Sequence, residues 1–466
     1  MSGHQTADIE DVPRAADAGQ TKVNHRSGRR PAPNLVLIGL LRDLGWSRAG
    51  FAQRVLDRCE QTGVHATVSS STVDRWCSGE THQPSADLAR AACHVLSVAL
   101  SRAVAPAALG WGPPGSDTTA AASLEYQDVP HALSTLPRLW ALDATHSRRL
   151  FSRYQFVPAA FTAAAGQALV MPPDAELSGR GSRRVRSGDV ELISHQTELY
   201  ARLDAEYGGG RYRRPFAAFL DAHATGLLVG SYSPRAGTHL LAAVADASVL
   251  LGFMAYDDQQ LGVAQRYATQ ALCLAHAIED PCRVARVLIH AARITAADKG
   301  ADRQIVLTHA RSAVLAADAG PHLVRAYAAI TEARAWAYNR NPTWTLDAVD
   351  RARTALRRAH SGDAPPWLAW LDEYELEGQA AWALVVAGLR IQGADALEIA
   401  RSKPAALARD NIGLLINAAE LARLKGDLDQ YAELTAQAAQ RAGGIDSRRT
   451  AARIEKLRQG VPLDCF

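Results

Sequence analysis

The chain has little that would tie it to covalent chemistry, metals or export. Its six cysteines, Cys59, Cys77, Cys93, Cys273, Cys282 and Cys465, include no C-x-x-C pair. That excludes the common zinc spacings, and so sparse a set excludes a secreted disulfide framework. Most of them read as small hydrophobes buried in a reducing cytoplasm. Aromatic residues make up only 6% of the chain, while alanine is abundant, which favours helices packed through small side chains. Net charge is only +3 over 466 residues, so a nucleic-acid surface has to be local. The first residues are polar and acidic at Asp8, Glu10 and Asp11, without the apolar core of a signal peptide. No apolar run reaches the roughly 20 residues of a membrane span. G-x-S-x-G, H-E-x-x-H and dinucleotide fingerprints are all missing. A cytoplasmic protein that is not an enzyme, with no metal, no cofactor and no membrane contact, is expected.

What is there is helical. No stretch alternates with period two, so no sheet is expected. Residues 1–33 read as a disordered tail whose end is basic at Arg26, Arg29 and Arg30. Such an arm can touch phosphates. Residues 34–110 carry four or five short helices with tight turns, the size of a helix-turn-helix domain. Residues 111–189 read as a linker with connecting helices. They hold "GWGPPGSDTT", the internal twin-arginine stretch "SRRLF" and a flexible basic break from Met171 to Val190. A twin-arginine export signal acts at an N-terminus, so "SRRLF" reads as linker or helix.

Residues 190–466 form a succession of helices. Turns are expected at "YDDQQLG", "DKGAD", "YNRNPTW", "RIQGAD" and "LKGDLD". Their spacing of about 35 to 50 residues suits a helix-hairpin solenoid. Small residues such as Gly252, Ala264 and Ala268 let backbones approach, and Tyr256 and Tyr267 fill the grooves beside them. The pattern is similar to tetratricopeptide repeats, in degenerate form. An unrelated alanine-rich bundle is the competing reading. The expected fold is therefore all-α: a helix-turn-helix domain followed by a tetratricopeptide-like solenoid.

The segment "SSSTVDRWCSGE", Ser69 to Glu80, carries the most functional information. On a helix Val73 and Trp76 share one face and should point inward. Arg48, Ser69, Ser70, Ser71, Thr72, Asp74 and Arg75 are then the candidate DNA-contacting residues. Arg75 suits guanine or phosphate, and the hydroxyls suit phosphates or base edges. Asp74 would repel phosphate unless it orients Arg75 or accepts from cytosine. From Arg26 to Arg102 there are ten basic residues against six acidic ones, enough for modest phosphate steering only.

"STVDRWCSGETHQPSADLARAACHVLS" resembles the second half of a lambda-repressor-like (XRE-type) DNA-binding domain. With "LYARLDAEYGGGRYRRP" and "LLGFMAYDDQQLGVAQRYATQALCLAHAIED", the chain is similar to actinobacterial regulators that couple such a domain to a tetratricopeptide-like one. That group includes negative regulators of sporulation and antibiotic production in Streptomyces-like bacteria. An RR-x-F stretch often follows their DNA-binding domain, as "SRRLF" does here. The resemblance runs from about Asn34 to at least Asp318. It implies a homodimeric transcription regulator that binds double-stranded operator DNA and senses a peptide, protein or small-molecule effector. One departure is the long segment "EQTGVHATVSS" between the second and third helices.

The concave face of a solenoid is where such an effector would sit. Tyr256, Arg286, His290, Arg293, Tyr327, Arg334, Tyr338 and Asn339 are the candidates there. They can equally be repeat packing. "YGGGRYRRP" lacks the strand and the G-K-[ST] of a phosphate loop, so it reads as a helix–helix turn whose Arg211, Arg213 and Arg214 meet an acidic partner or DNA. His276, His290 and His309 read as surface or groove residues. Asp257 and Asp258 read as turn carboxylates that cap helices. The competing class is a helical-repeat scaffold that does not bind DNA.

Overall fold

A computed structural model describes residues 33–461, apart from 82–83, 101–103, 105, 110, 112–122, 146–153, 174–176, 299, 361, 363 and 404–407. The basic end of the N-terminal tail and "SRRLF" lie outside the described residues. Among the described residues the chain forms twenty α-helices and one minimal two-stranded ribbon.

Four helices build a small N-terminal core: α1 (Leu35–Asp43), α2 (Arg48–Gln61), α3 (Ser70–Ser78) and α4 (Ala86–Leu100). Asn34 ties its two ends together. Its side-chain oxygen accepts from the Leu37 amide, capping α1, and its Nδ2 donates to the Leu109 carbonyl at 2.7 Å. Ser47 caps α2 by accepting from the Gly50 amide. Trp76 fills the centre, with its ring edge-on to Phe51 at 6.4 Å and to Trp111 at 5.1 Å. Trp111, whose Gly/Pro neighbours suggest a linker, is thus buried in this core.

The second, larger core spans Val129 to Leu457. Helices α5 (Val129–Thr145) and α6 (Pro158–Val170) belong to it, burying Leu136, Trp140 and Phe161. Then come α7 (Ser187–Tyr207), α8 (Gly209–His223) and the one-turn α9 (Thr225–Leu228). Helices α10 (Pro234–Asp257) and α11 (Leu261–Ala277) pair as a hairpin. So do α12 (Pro281–Ala296) with α13 (Arg303–Ala317), and α14 (His322–Tyr338) with α15 (Pro342–Arg357). Helices α16 (Glu373–Val386) with α17 (Arg390–Arg401), and α18 (Ala408–Lys425) with α19 (Leu428–Ala442), repeat the arrangement before the last helix, α20 (Arg448–Arg458). First helices of successive hairpins also touch, from α10 through α20.

One turn design recurs. The amides of Gln260, Asp280, Asn341, Leu389 and Asp427 each bond to the carbonyl five residues earlier. The residue before each of them has positive φ: Gln259, Glu279, Arg340, Gly388 and Gly426. This is the left-handed helix stop. Four of the five expected turns fall where the sequence places them. The fourth does not: "RIQGAD" lies inside α17, and the chain turns just before it, at Ala387–Leu389. Gly393 sits within the helix at a close approach, where a β-carbon would meet the Val385 side chain at 2.7 Å.

Two further expectations are corrected. The basic break from Met171 to Val190 carries regular structure in its described part. Gly179–Arg180 pairs antiparallel with Ser231–Tyr232, a small ribbon where no sheet was expected. A pattern of period two cannot show in strands of two residues. Helix α10 is also long and apolar enough to span a membrane, although 72% of that window is buried inside the fold.

The hairpin stack returns on itself. Helix α20 touches α10 and α18 touches α7. The Asp446 amide donates to the Tyr207 carbonyl at 2.8 Å, and the Gly210 amide to the Asp446 carbonyl at 3.1 Å. "YGGG" is the tight α7–α8 turn that allows this. Gly208 has φ +85°, and a β-carbon there would stand 2.6 Å from the Asp446 carbonyl oxygen. The small N-terminal core rests on the larger body through α4 against α6.

Candidate functional site

Helix α3 is two-sided. Ser69 caps it with a reciprocal pair of bonds: its Oγ accepts from the Thr72 amide, and its own amide donates to Thr72 Oγ1. Gly79, at φ 78°, stops the helix after two and a half turns. Val73, Trp76 and Cys77 are buried, while Ser69, Ser70, Ser71 and Arg75 are exposed and Thr72 and Asp74 half-buried. The partner of Asp74 is Arg48, at the start of α2, in a close ion pair. Asp74 therefore orients Arg48 rather than Arg75, across the eight residues that separate α2 from α3. Both side chains keep about half their exposure, 52% and 47%. Ser69 and Ser71 hydroxyls lie 2.8 Å apart at the helix N-terminus. Hydroxyls, amide groups and the end of the helix dipole together suit an anionic oxygen.

The second candidate lies on the first helices of the hairpins. Six of the eight expected groove residues are brought together there, and four arginines each stack on an aromatic ring. Arg286 lies over Trp367 at 4.7 Å, Arg293 over Tyr327 at 5.3 Å, and Arg334 over Trp382 at 4.7 Å. Arg449, from α20, lies over Tyr256 at 5.2 Å. His290 meets Phe253 edge-on at 5.3 Å. Tyr256 and Tyr327 are nearly fully buried and serve as platforms. Tyr338 and Asn339 stand apart. Tyr338 lies under Arg303, and Asn339 Nδ2 donates to the Arg303 and Ala335 carbonyls, fastening α14 to the start of α13.

These arginines meet both acidic and neutral partners. Asp246 serves both Arg283, at 2.7 Å, and Arg286, at 2.8 Å. Asp257 takes Arg449 at 3.2 Å. Arg293 Nη2 donates to neutral Gln379 at 2.9 Å, and its buried Nε has no hydrogen-bond partner. Arg453 donates to Asn417. Burial, reinforced by Arg293, Arg453 and Arg449, lowers the Arg334 guanidinium to about 9. Burial together with Arg293 and Arg286 holds the His290 imidazole well below its usual value. Asp246 and Arg283 also line a separate open cavity of about 750 Å³ along α10 and α7, with Arg186, Arg235 and His239.

A family model described as the SP15 N-terminal domain matches residues 37–112. The match begins at Leu37 and ends one residue after Trp111, the first and last buried residues of the small core. No curated protein and no solved structure matches the chain.

Several residues take roles other than those expected. His309 is fully buried, between Thr162 Oγ1 at 3.2 Å and Thr295 Oγ1 at 3.1 Å. His276 bridges the Tyr126 hydroxyl and the Met171 carbonyl. Asp258 is the C-cap residue of α10, and the carboxylates of Asp257 and Asp258 are buried acceptors for Arg449, Arg448 and Arg213. Arg213 meets its acidic partners inside the fold, with Asp143 at 3.0 Å. Sequence reasoning missed Arg449 and Arg453. Their four-residue spacing on a basic final helix was the available signal.

Proposed function

We propose that the protein is a DNA-binding transcription regulator. Its N-terminal domain acts as a helix-turn-helix reader, and its helical body is a tetratricopeptide-like solenoid that dimerises and takes an effector. The two-sidedness of α3 carries this reading. Val73 and Trp76 lock the helix to its core, and Ser70, Ser71 and Arg75 are left outside beside an Arg48 oriented by Asp74. Phosphate contacts from Arg48 and the serines would set the register, and Arg75 would supply base readout. A homodimer would place two such helices on half-sites about one helical turn apart. An effector preferring one dimer geometry would shift the population that reaches both half-sites. The resemblance to actinobacterial regulators of sporulation and antibiotic production supports a role of that kind in the cytoplasm.

The test is genome-wide DNA occupancy of the tagged full chain, followed by binding to the recovered sites. Discrete sites sharing a palindrome are expected. Arg75→Ala should weaken binding about tenfold or more, the cost of about 1–3 kcal/mol for a lost base contact, with an unchanged circular dichroism spectrum. Equal affinity for mutant and wild type removes Arg75 from the reading surface.

The Thr62–Ser69 segment, longer than a tight helix-turn-helix turn, favours a second reading. In it the small domain is a protein-binding module and the body a scaffold. Occupancy without discrete sites, and no salt-dependent binding to any duplex, would select that reading.

A further inference from the structure

We propose that the arginine–aromatic groove on the inner helices is a binding site for a small anion bearing phosphate or carboxylate oxygens. The proposal gives a ligand class to the effector groove of the regulator reading, and it rests on that reading only for its regulatory meaning.

The geometry of the stacks carries the argument. A guanidinium has a weakly hydrated flat face and five N–H donors in its plane. Trp367, Tyr327, Trp382 and Tyr256 each cover one flat face. Stacking satisfies the face and fixes the plane of the donors: Arg286 gives one to Asp246 and Arg449 one to Asp257, and Arg293 keeps a buried Nε without a hydrogen-bond partner. In-plane forks of this kind match the paired oxygens of a phosphate or a carboxylate.

Charge points the same way. Arg293 has a neutral hydrogen-bond partner, Gln379, and a buried Nε with none. Asp246 is shared between two arginines. Arg293, Arg449 and Arg453 all act on Arg334 as like charges. Guanidiniums clustered in this way, one of them with a buried donor left over, form a site that gains on binding negative charge. Arg286 and Asp246 are about one-fifth exposed or less without being sealed, and Asp246, which holds Arg286, also lines the open cavity beside the groove. Closure of the stack by α20 completes the site, because Arg449 and Arg453 come from the last helix and Arg286 and Arg293 from the second hairpin.

Isothermal titration of the full chain, without DNA, tests this with inorganic pyrophosphate and citrate as probes at constant ionic strength. A glutamate-rich decapeptide serves as a third probe. Saturable one-site binding of pyrophosphate or citrate is expected, and the better of the two tells phosphate from carboxylate. Arg293→Gln should weaken it about tenfold or more, and Arg75→Ala should leave it unchanged. Circular dichroism confirms the fold of each variant. If Arg293→Gln fails to fold, Trp367→Leu replaces it, expected to weaken binding by loosening Arg286. The proposal is overturned if neither small anion binds, if binding is the same in a folded groove variant, or if only the peptide binds. Because no DNA is present, anion binding can succeed where operator binding fails, and the reverse.

Discussion

Trp76 shows how much one side chain decides. It is 2% exposed and stands between Phe51 and Trp111, so its truncation removes the centre of a four-helix core. Trp76→Ala should cost about 3–5 kcal/mol and melt the N-terminal domain alone, seen as early proteolysis there with the body intact. Trp111→Ala should behave alike, although its neighbours Gly110, Gly112 and Pro113 look like linker. Val73 and Trp76 were legible because an i, i+3 apolar pair has one helical solution. The partner of Asp74 was not legible, since Arg48 lies 26 residues away on another helix.

His309 makes a separate, pH-dependent contribution. Burial lowers its imidazole to about 4 from an ordinary 6.5. The unfolded chain therefore binds a proton below about 6.5 that the folded one refuses until about 4. Stability from this site is complete above pH 6.5 and falls as pH drops through that window, by about 3 kcal/mol in all. Denaturation midpoints measured from pH 7.5 to 4 should show the decline, and His309→Gln should flatten it. An unchanged slope in that variant would place the acid sensitivity elsewhere.

At the scale of elements, the repeating helix stop sets the hairpins. Three of its five left-handed positions carry a side chain: Gln259, Glu279 and Arg340. A β-carbon in that region costs about 1–2 kcal/mol, partly offset by the entropy that glycine loses on folding. Gln259→Gly should therefore stabilise the chain by about 0.5–1 kcal/mol, and Gly388→Ala should destabilise it by about 1 kcal/mol. Paired thermal melts check both signs. Turns ending in an Asp or Asn cap, such as Asp427 and Asn341, could be read from the sequence. "RIQGAD" misled because its glycine serves close packing against Val385 rather than a turn. The Gly179–Arg180 ribbon is too short to leave any periodic trace.

Across the whole molecule, a buried polar network joins parts far apart in the chain. Arg213 reaches Asp143 of α5 and Asp258 at the end of α10, and the Tyr267 hydroxyl donates to the other Asp143 oxygen at 3.0 Å. Burial raises the Asp143 carboxyl, against the pull of Arg213 and Tyr267. Arg213→Ala strands a fully buried carboxylate and should cost about 3–5 kcal/mol, read as a lower urea midpoint. Arg213→Lys should recover only part of it. Such pairings, like Arg449 with Asp257 192 residues apart, follow from how the stack curves, which no local pattern encodes. The all-helical fold was legible for the opposite reason, since it rests on local period and caps.

Closure of that stack also limits how such a chain can change over generations. An open array gains or loses a hairpin at either end, because each neighbour contact simply repeats. Here Arg448 and Arg449 must arrive at Asp258 and Asp257, so the number of hairpins and the rotation per hairpin have to bring the last helix back to the first. Duplicating or deleting one hairpin would carry the final helix past its acceptors. Length variation in descendants of this chain should therefore concentrate in its connecting loops and tails, with the hairpin count fixed.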